Sequence, residues 1–265
     1  MVTLHRVSDV DDLISQAALK FVDTVARIQA SGGGLHDDGV ARVVLTGGGA
    51  GIGVLHELAR LDFAAQQQGE NFPAQRIDWS RVHVFFGDER NVPVSDADSN
   101  EGQARNALLN HVDIPNQNIH GFDLGAVSME AAASAYEPEL KEFAPHGFDL
   151  HLLGMGEEGH INSLFPHSSA IREQEELAVP VHDSPKPPSE RITLTLPAVN
   201  KSDRIWLLVA GEAKSEAAKH VVEGAAAEEW PAAGVHGRKE TVLFLADDAA
   251  SEIYCLLYTS PSPRD

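Results

Sequence analysis

Apolar residues at Leu13, Ala17, Phe21, Val25 and Ile28 recur at three- and four-residue intervals, so the segment from Asp9 to Ala30 reads as an amphipathic helix that Ser31-Gly32-Gly33-Gly34 breaks. Continuous apolar runs follow it. Ala41 to Leu45, Arg81 to Phe86, Phe148 to Leu153, Ile205 to Ala210 and Thr241 to Ala246 are short, rich in β-branched and aromatic side chains, and bounded by glycine or charge, the pattern of strands covered on both faces. Ile192, Leu194 and Leu196 alternate with threonines instead, the period of a half-exposed strand. Helices are expected through Val54, Leu55, Leu58 and Ala59, near Gln103 to Leu109, over Val127 to Phe143 with Pro138 kinking or splitting it, and in the alanine-rich stretch after Lys214. For the second of these, Asp98 offers an N-cap with Glu101 three residues on. Strands alternating with helices imply an α/β protein built on a single doubly wound, mostly parallel sheet with helices on both faces.

Composition narrows the classes of partner. The chain has 265 residues, 43% of them hydrophobic, which suits a packed core. Its net charge of −20 opposes broad attraction to nucleic acid or an anionic membrane, so an anionic substrate needs a local cluster of cations. No run of about 18 apolar residues suggests a membrane span, and the amino terminus lacks the apolar core of a secretion signal. A cytoplasmic protein with no obligate protein partner is expected. One cysteine, Cys255, can form neither an internal disulfide nor a multi-cysteine metal site. Residues 255–265 resemble a translated sequencing adapter, which leaves residues 1–254 as one expected domain and takes functional weight from Cys255. Ser184-Pro185-Lys186-Pro187-Pro188 reads as a rigid surface connection.

The chemistry concentrates at the ends of the apolar runs. Thr46-Gly47-Gly48-Gly49-Ala50-Gly51 follows a strand and precedes a helix, where backbone N–H groups can cradle a phosphate; its alternative is a turn that only reverses the chain. The dinucleotide fingerprint fails there, since its sixth position is Ile52 or Val54 rather than glycine. Asp88-Glu89-Arg90 ends the next strand as either a solvated turn or a device in which Arg90 grips an oxyanion and Asp88 orients a neighbour. Lys214 stands at the start of a helix, an unfavourable place for a cation unless an anion lies between; solvent screening is the other reading.

Gly154-Met155-Gly156-Glu157-Glu158-Gly159-His160 crowds glycines, carboxylates and an imidazole just past the end of a strand, the edge where ligands bind in open α/β sheets. His160, with Glu158 beside it, is the candidate base, because an imidazole of ordinary pKa, about 6.5, is largely neutral at cytoplasmic pH and can take a proton from water. Zinc is its rival use, disfavoured because His151 and His167 stand at no recognisable ligand spacing and no His-Glu-x-x-His helix occurs. No Gly-x-Ser-x-Gly elbow is present.

Thr46-Gly47-Gly48, Gly87 through Pro93 with Ser99-Asn100, Gly154 through Pro166, Arg191 through Thr195 and Gly211 through Lys214, in that order, resemble the 6-phosphogluconolactonases of the glucosamine/galactosamine-6-phosphate isomerase superfamily. The resemblance implies hydrolysis of 6-phosphoglucono-δ-lactone, a small sugar-phosphate lactone, with no metal and no organic cofactor. It also implies catalytic positions at His160, Glu158 and Asp88, with the 6-phosphate on Thr46, Gly47, Gly48 and Lys214 and on Arg90 or Arg191. Glu158 stands where that family often has aspartate. The related glucosamine-6-phosphate deaminases carry a Phe-Asn-Glu-Pro run after the histidine, whereas this chain has Ser163-Leu164-Phe165-Pro166 and no carboxylate. A non-catalytic sugar-phosphate sensor on the same scaffold is the reading from a different class.

Overall fold

The computed structural model describes residues 2–30, 33–68, 76–125 and 127–253. The adapter-like segment 255–265 lies outside the described residues. Among the described residues ten strands form two sheets. The larger contains β1 (Val2–Val7), β2 (Ala41–Leu45), β3 (Val82–Phe86), β5 (Ile119–His120), β6 (Leu150–Gly154), β9 (Arg204–Val209) and β10 (Glu240–Ala246) in the order β1-β10-β9-β6-β2-β3-β5. Every pairing in it is parallel.

The chain runs outward from β2 through β3 to β5, then returns to β6 and runs the other way through β9 to β10. Crossovers between parallel strands are right-handed, so opposite directions put the connecting helices on opposite faces. Helices α1 (Val10–Gln29) and α2 (Gly48–Gln68) share one face and pack together; α4 (Met129–Phe143) and α7 (Ser215–Glu223) belong to the other. With both faces covered, the central strands are mostly apolar: β6 buries Leu150, Leu152 and Leu153 around an equally buried His151, and β9 buries Trp206, Leu207 and Leu208. The reversal of direction falls between β2 and β6, which are neighbours, and their carboxyl ends open a crevice there.

The smaller sheet is antiparallel, with β8 (Arg191–Leu194) between β4 (Asp88–Arg90) and β7 (Ala178–Val181). Only Gly87 separates β3 from β4, and the Leu194 N–H bonds to the Gly87 carbonyl at 2.8 Å, so this sheet stands over the carboxyl end of the large one.

Several local expectations are corrected. The strand at 191–194 is wholly buried rather than half-exposed, its Thr193 hydroxyl taking the Ser163 N–H at 3.3 Å and donating to the Leu194 carbonyl. Leu196 lies in the short helix α6 (Leu196–Val199), after α5 (Ser169–Arg172) and capped by Thr195. Helix α3 (Asn100–Ala104) is capped by Ser99, not Asp98. The carboxylate of Glu89, on β4, takes the Asn100 and Glu101 N–H groups at 2.7 and 2.8 Å, so a residue from another element supplies what the capping box would have. Pro138 neither splits α4 nor ends it: proline and Ser134, whose carbonyl loses its partner, are both exposed, and water can serve that oxygen.

Candidate active site

A cleft of about 250 Å³ opens at the crevice between β2 and β6. Its floor is the loop from Thr46 into the first turn of α2. The helix begins at Gly48, so the glycine run is mostly its first turn and not a separate loop. Gly48 has φ of +79°, the left-handed region that glycine enters without a steric cost. Its geometry turns the chain so that the amino end of α2 faces the cleft, which Gly48, Gly49, Ala50 and Gly51 line. Thr46 Oγ1 accepts the Gly154 N–H at 3.2 Å and ties the ends of β2 and β6 together.

His160 forms one side. Its ring stacks on Phe165, centroids 4.4 Å apart, and the imidazole and Glu158 carboxylate lie so close over Gly156 that a β-carbon there would collide with both. Glu158 Oε1 is 3.1 Å from Nδ1, out of line for a hydrogen bond, and Nδ1 is enclosed, which leaves Nε2 as the ring nitrogen open to the cleft. Burial pushes the His160 imidazole below its ordinary value, and Lys186 pushes the same way; Glu158 and the more distant Asp88 oppose them. The imidazole is therefore neutral at neutral pH. Burial works against ionisation of Glu158, but its own backbone N–H, His160 and Lys186 outweigh it and hold the carboxyl below its usual range.

The smaller sheet supplies the opposite wall. Asp88 and Glu89 are buried, so they are not a solvated turn. Asp88 accepts from Asn100 Nδ2 at 3.0 Å and from Ser163 Oγ at 2.7 Å and faces Arg191 at 3.8 Å, and these, not His160, are its side-chain partners. Arg191 is buried, with Nε on the Pro188 carbonyl and Nη2 on the Lys186 and Pro187 carbonyls, so its fork is engaged by the loop between β7 and β8. Arg90 bonds the Asp98 carbonyl and the Asn100 side chain through Nη1, while its Nε is buried without a partner. Lys214 stands at the amino end of α7, its ammonium pushed below the ordinary lysine value by burial and then by Lys186.

Thr46, Gly47, Gly48, Asp88, Arg90, His160, Arg191 and Lys214 all line the cleft, with Glu158 directly behind His160. Sequence reasoning missed three participants. Asn100 links Asp88 to Arg90; Ser163 joins the histidine loop to Asp88; Lys186, read as part of a surface connection, reaches the cleft and contacts Glu158 Oε2 at 3.2 Å. Only the polar character of Lys186 within a proline-stiffened segment could have signalled it. Four cations, Arg90, Lys186, Arg191 and Lys214, thus face the cleft of a protein whose net charge is −20. Among the described residues no group of three or more metal-ligating side chains occurs, and no helix is long and apolar enough to cross a membrane.

Known proteins resemble this chain in sequence and in fold. The chain is 46% identical to the 6-phosphogluconolactonase of Mycobacterium tuberculosis, over 92% of this chain and 96% of that protein, and 38% identical to that of Streptomyces coelicolor, over 98% and 97%. The crystal structure of 6-phosphogluconolactonase from Thermotoga maritima superposes with a TM-score of 0.76 at 27% identity, covering 93% of this chain and all of that one. A monomeric glucosamine-6-phosphate deaminase has the same fold, with a TM-score of 0.77 at 21% identity. The profile described as glucosamine-6-phosphate isomerases/6-phosphogluconolactonase matches residues 8–244, and the chain belongs to that family.

Proposed function

We propose that this protein is a cytoplasmic, one-domain enzyme that hydrolyses 6-phosphoglucono-δ-lactone to 6-phosphogluconate. The observation that carries this reading is a neutral histidine, open at Nε2, at one side of a cleft lined by four cations. The near relatives named 6-phosphogluconolactonase support it.

The 6-phosphate binds at the amino end of α2, on Thr46, Gly47 and Gly48, with Lys214 and the fork of Arg90. Arg191 organises the loop carrying Lys186 rather than gripping the phosphate, since three carbonyls already hold its fork. Anchored there, the lactone presents C1 to His160, and the effective concentration of the reacting groups rises. His160 Nε2 takes a proton from a water whose oxygen attacks C1. The carbonyl oxygen gains negative charge in the positive field of the cations. Collapse breaks the bond from C1 to the ring oxygen, which takes the proton back from the imidazolium, and the new carboxyl group releases its own proton to solvent. Glu158 orients the imidazole and stabilises the imidazolium. Asp88 is a positioning residue that fixes Ser163, Asn100 and Arg191. No step needs a metal or organic cofactor.

Deamination of glucosamine 6-phosphate is the neighbouring reaction on this fold. It is disfavoured because Ser163, Leu164 and Phe165 are buried after the histidine and present no carboxylate to the cleft. His160→Ala should retain 6-phosphogluconate binding by calorimetry while losing turnover; loss of binding with turnover retained would refute the assignment.

A further inference from the structure

Lys186 has a backbone that is fixed and a side chain that reaches inward. Its carbonyl accepts from Arg191 Nη2 at 2.9 Å and from Ser184 Oγ at 3.0 Å, and its N–H bonds Ser184 Oγ at 3.3 Å. Pro185, Pro187 and Pro188 restrict the segment further. From this anchored point Nζ meets Glu158 Oε2 at 3.2 Å, while the other oxygen of the same carboxylate lies 3.1 Å from His160 Nδ1. One carboxylate thus stands between an ammonium and an imidazole.

The charges facing His160 come from three elements. Glu158 is on its own loop, Asp88 is on β4 with Arg191 beside it, and Lys186 is on the loop between β7 and β8; Phe165 covers one ring face with no charge. Two carboxylates in a half-enclosed site would favour the imidazolium, which cannot act as a base. Lys186 is the cation that meets Glu158, the carboxylate nearer the ring, while Arg191 faces Asp88.

We propose that Lys186 is a positioning residue for the base: it locks the Glu158 carboxylate in place and offsets its charge, so that His160 is oriented by Glu158 without being protonated by it. The catalytic part of this inference rests on His160 acting as the base; the electrostatic part does not. The coupling has a geometric logic. The carboxylate must be near enough to stabilise the imidazolium formed during reaction, and an ammonium on its far oxygen limits how far it stabilises that form beforehand. The direction agrees with Lys186 lowering the basicity of His160 while Glu158 raises it.

The test is an NMR titration of histidine-labelled full-length protein, with the His160 signal assigned through His160→Gln. In Lys186→Met the His160 midpoint should move up relative to wild type; in Lys186→Arg, which restores a cation, it should return towards wild type; in Glu158→Gln it should move down. The acid limb of the pH profile of kcat/KM for lactone hydrolysis should move with the midpoint, whatever happens to KM. A lysine that only bound phosphate would raise KM and leave the titration in place. An unmoved His160 midpoint in Lys186→Met, or no recovery in Lys186→Arg, would overturn the inference. If the midpoints moved as expected but the wild-type protein opened no lactone, the proposed activity would fail and the electrostatic assignment would hold.

Discussion

Gly156→Ala separates packing from backbone geometry at His160, the proposed base. Gly156 is not among the glycines with positive φ, so alanine can adopt its backbone conformation without strain. The added methyl nevertheless has nowhere to go: it collides with Nδ1 and Cε1 of the His160 ring and comes within 2.8 Å of Glu158 Oε2. Phe165 blocks one face of the ring, so relief must come from moving the imidazole across the cleft. Overpacking of this kind costs about 1–3 kcal/mol of stability. Misplacing a catalytic group by about 1 Å costs on the order of 10²-fold in rate, or about 2.7 kcal/mol of barrier. The variant should therefore fold, retain 6-phosphogluconate binding on the separate floor of the cleft, and lose about 10²-fold in kcat. Thermal unfolding, product binding and initial-rate hydrolysis measure the three quantities. A folded variant with wild-type kcat would refute the placement of the base over Gly156.

Two further predictions concern buried groups. Burial pushes the fully enclosed His151 imidazole down to about 3, so it stays neutral in the folded chain while the unfolded chain takes a proton below about 6.5. Its contribution is therefore complete above that pH and falls as the pH drops, by about 2 kcal/mol between pH 6.5 and 5; urea unfolding of His151→Leu at pH 7 and 5 should show a pH dependence smaller by that amount, and an unchanged dependence would contradict it. Asp88→Asn places an amide where Asn100 Nδ2 and Ser163 Oγ donate and where Arg191 has its counter-charge, so about 2–3 kcal/mol of stability should be lost in urea unfolding; a loss below 0.5 kcal/mol would show that the cluster is not as tightly coupled as its contacts imply.

What was legible in the sequence follows from the range of the forces that set each part. The inner strands of the parallel sheet are covered on both faces and so announce themselves as mostly apolar runs, as in Val82–Phe86, which His83 alone interrupts, and in Arg204–Val209 after its first residue. The edge strand Val2–Val7 carries His5 and Arg6 and is partly exposed, so it gave no such signal. The smaller sheet, apart from its middle strand at 191–194, was illegible for a different reason. Its strand Asp88–Arg90 is three residues long and charged, and it is buried only because Asn100, Ser163 and Arg191 arrive from elsewhere in the chain to satisfy Asp88. Residues on glycine-rich loops at strand ends, such as Thr46, Gly48 and His160, could be found because the turns that carry them are encoded locally. Lys186 could not, since its contact with Glu158 spans 28 residues and depends on how Arg191 holds its loop.

The most direct test of the account is the initial rate of hydrolysis of freshly generated 6-phosphoglucono-δ-lactone, corrected for spontaneous opening, by the wild-type protein and by His160→Ala, with deamination of glucosamine 6-phosphate measured in parallel. The account predicts rapid lactone opening by the wild type, a loss of about 10²–10⁴-fold in kcat in the variant, and no deamination by either. Wild-type kcat in a folded His160→Ala protein, or deamination in place of lactone opening, would contradict it.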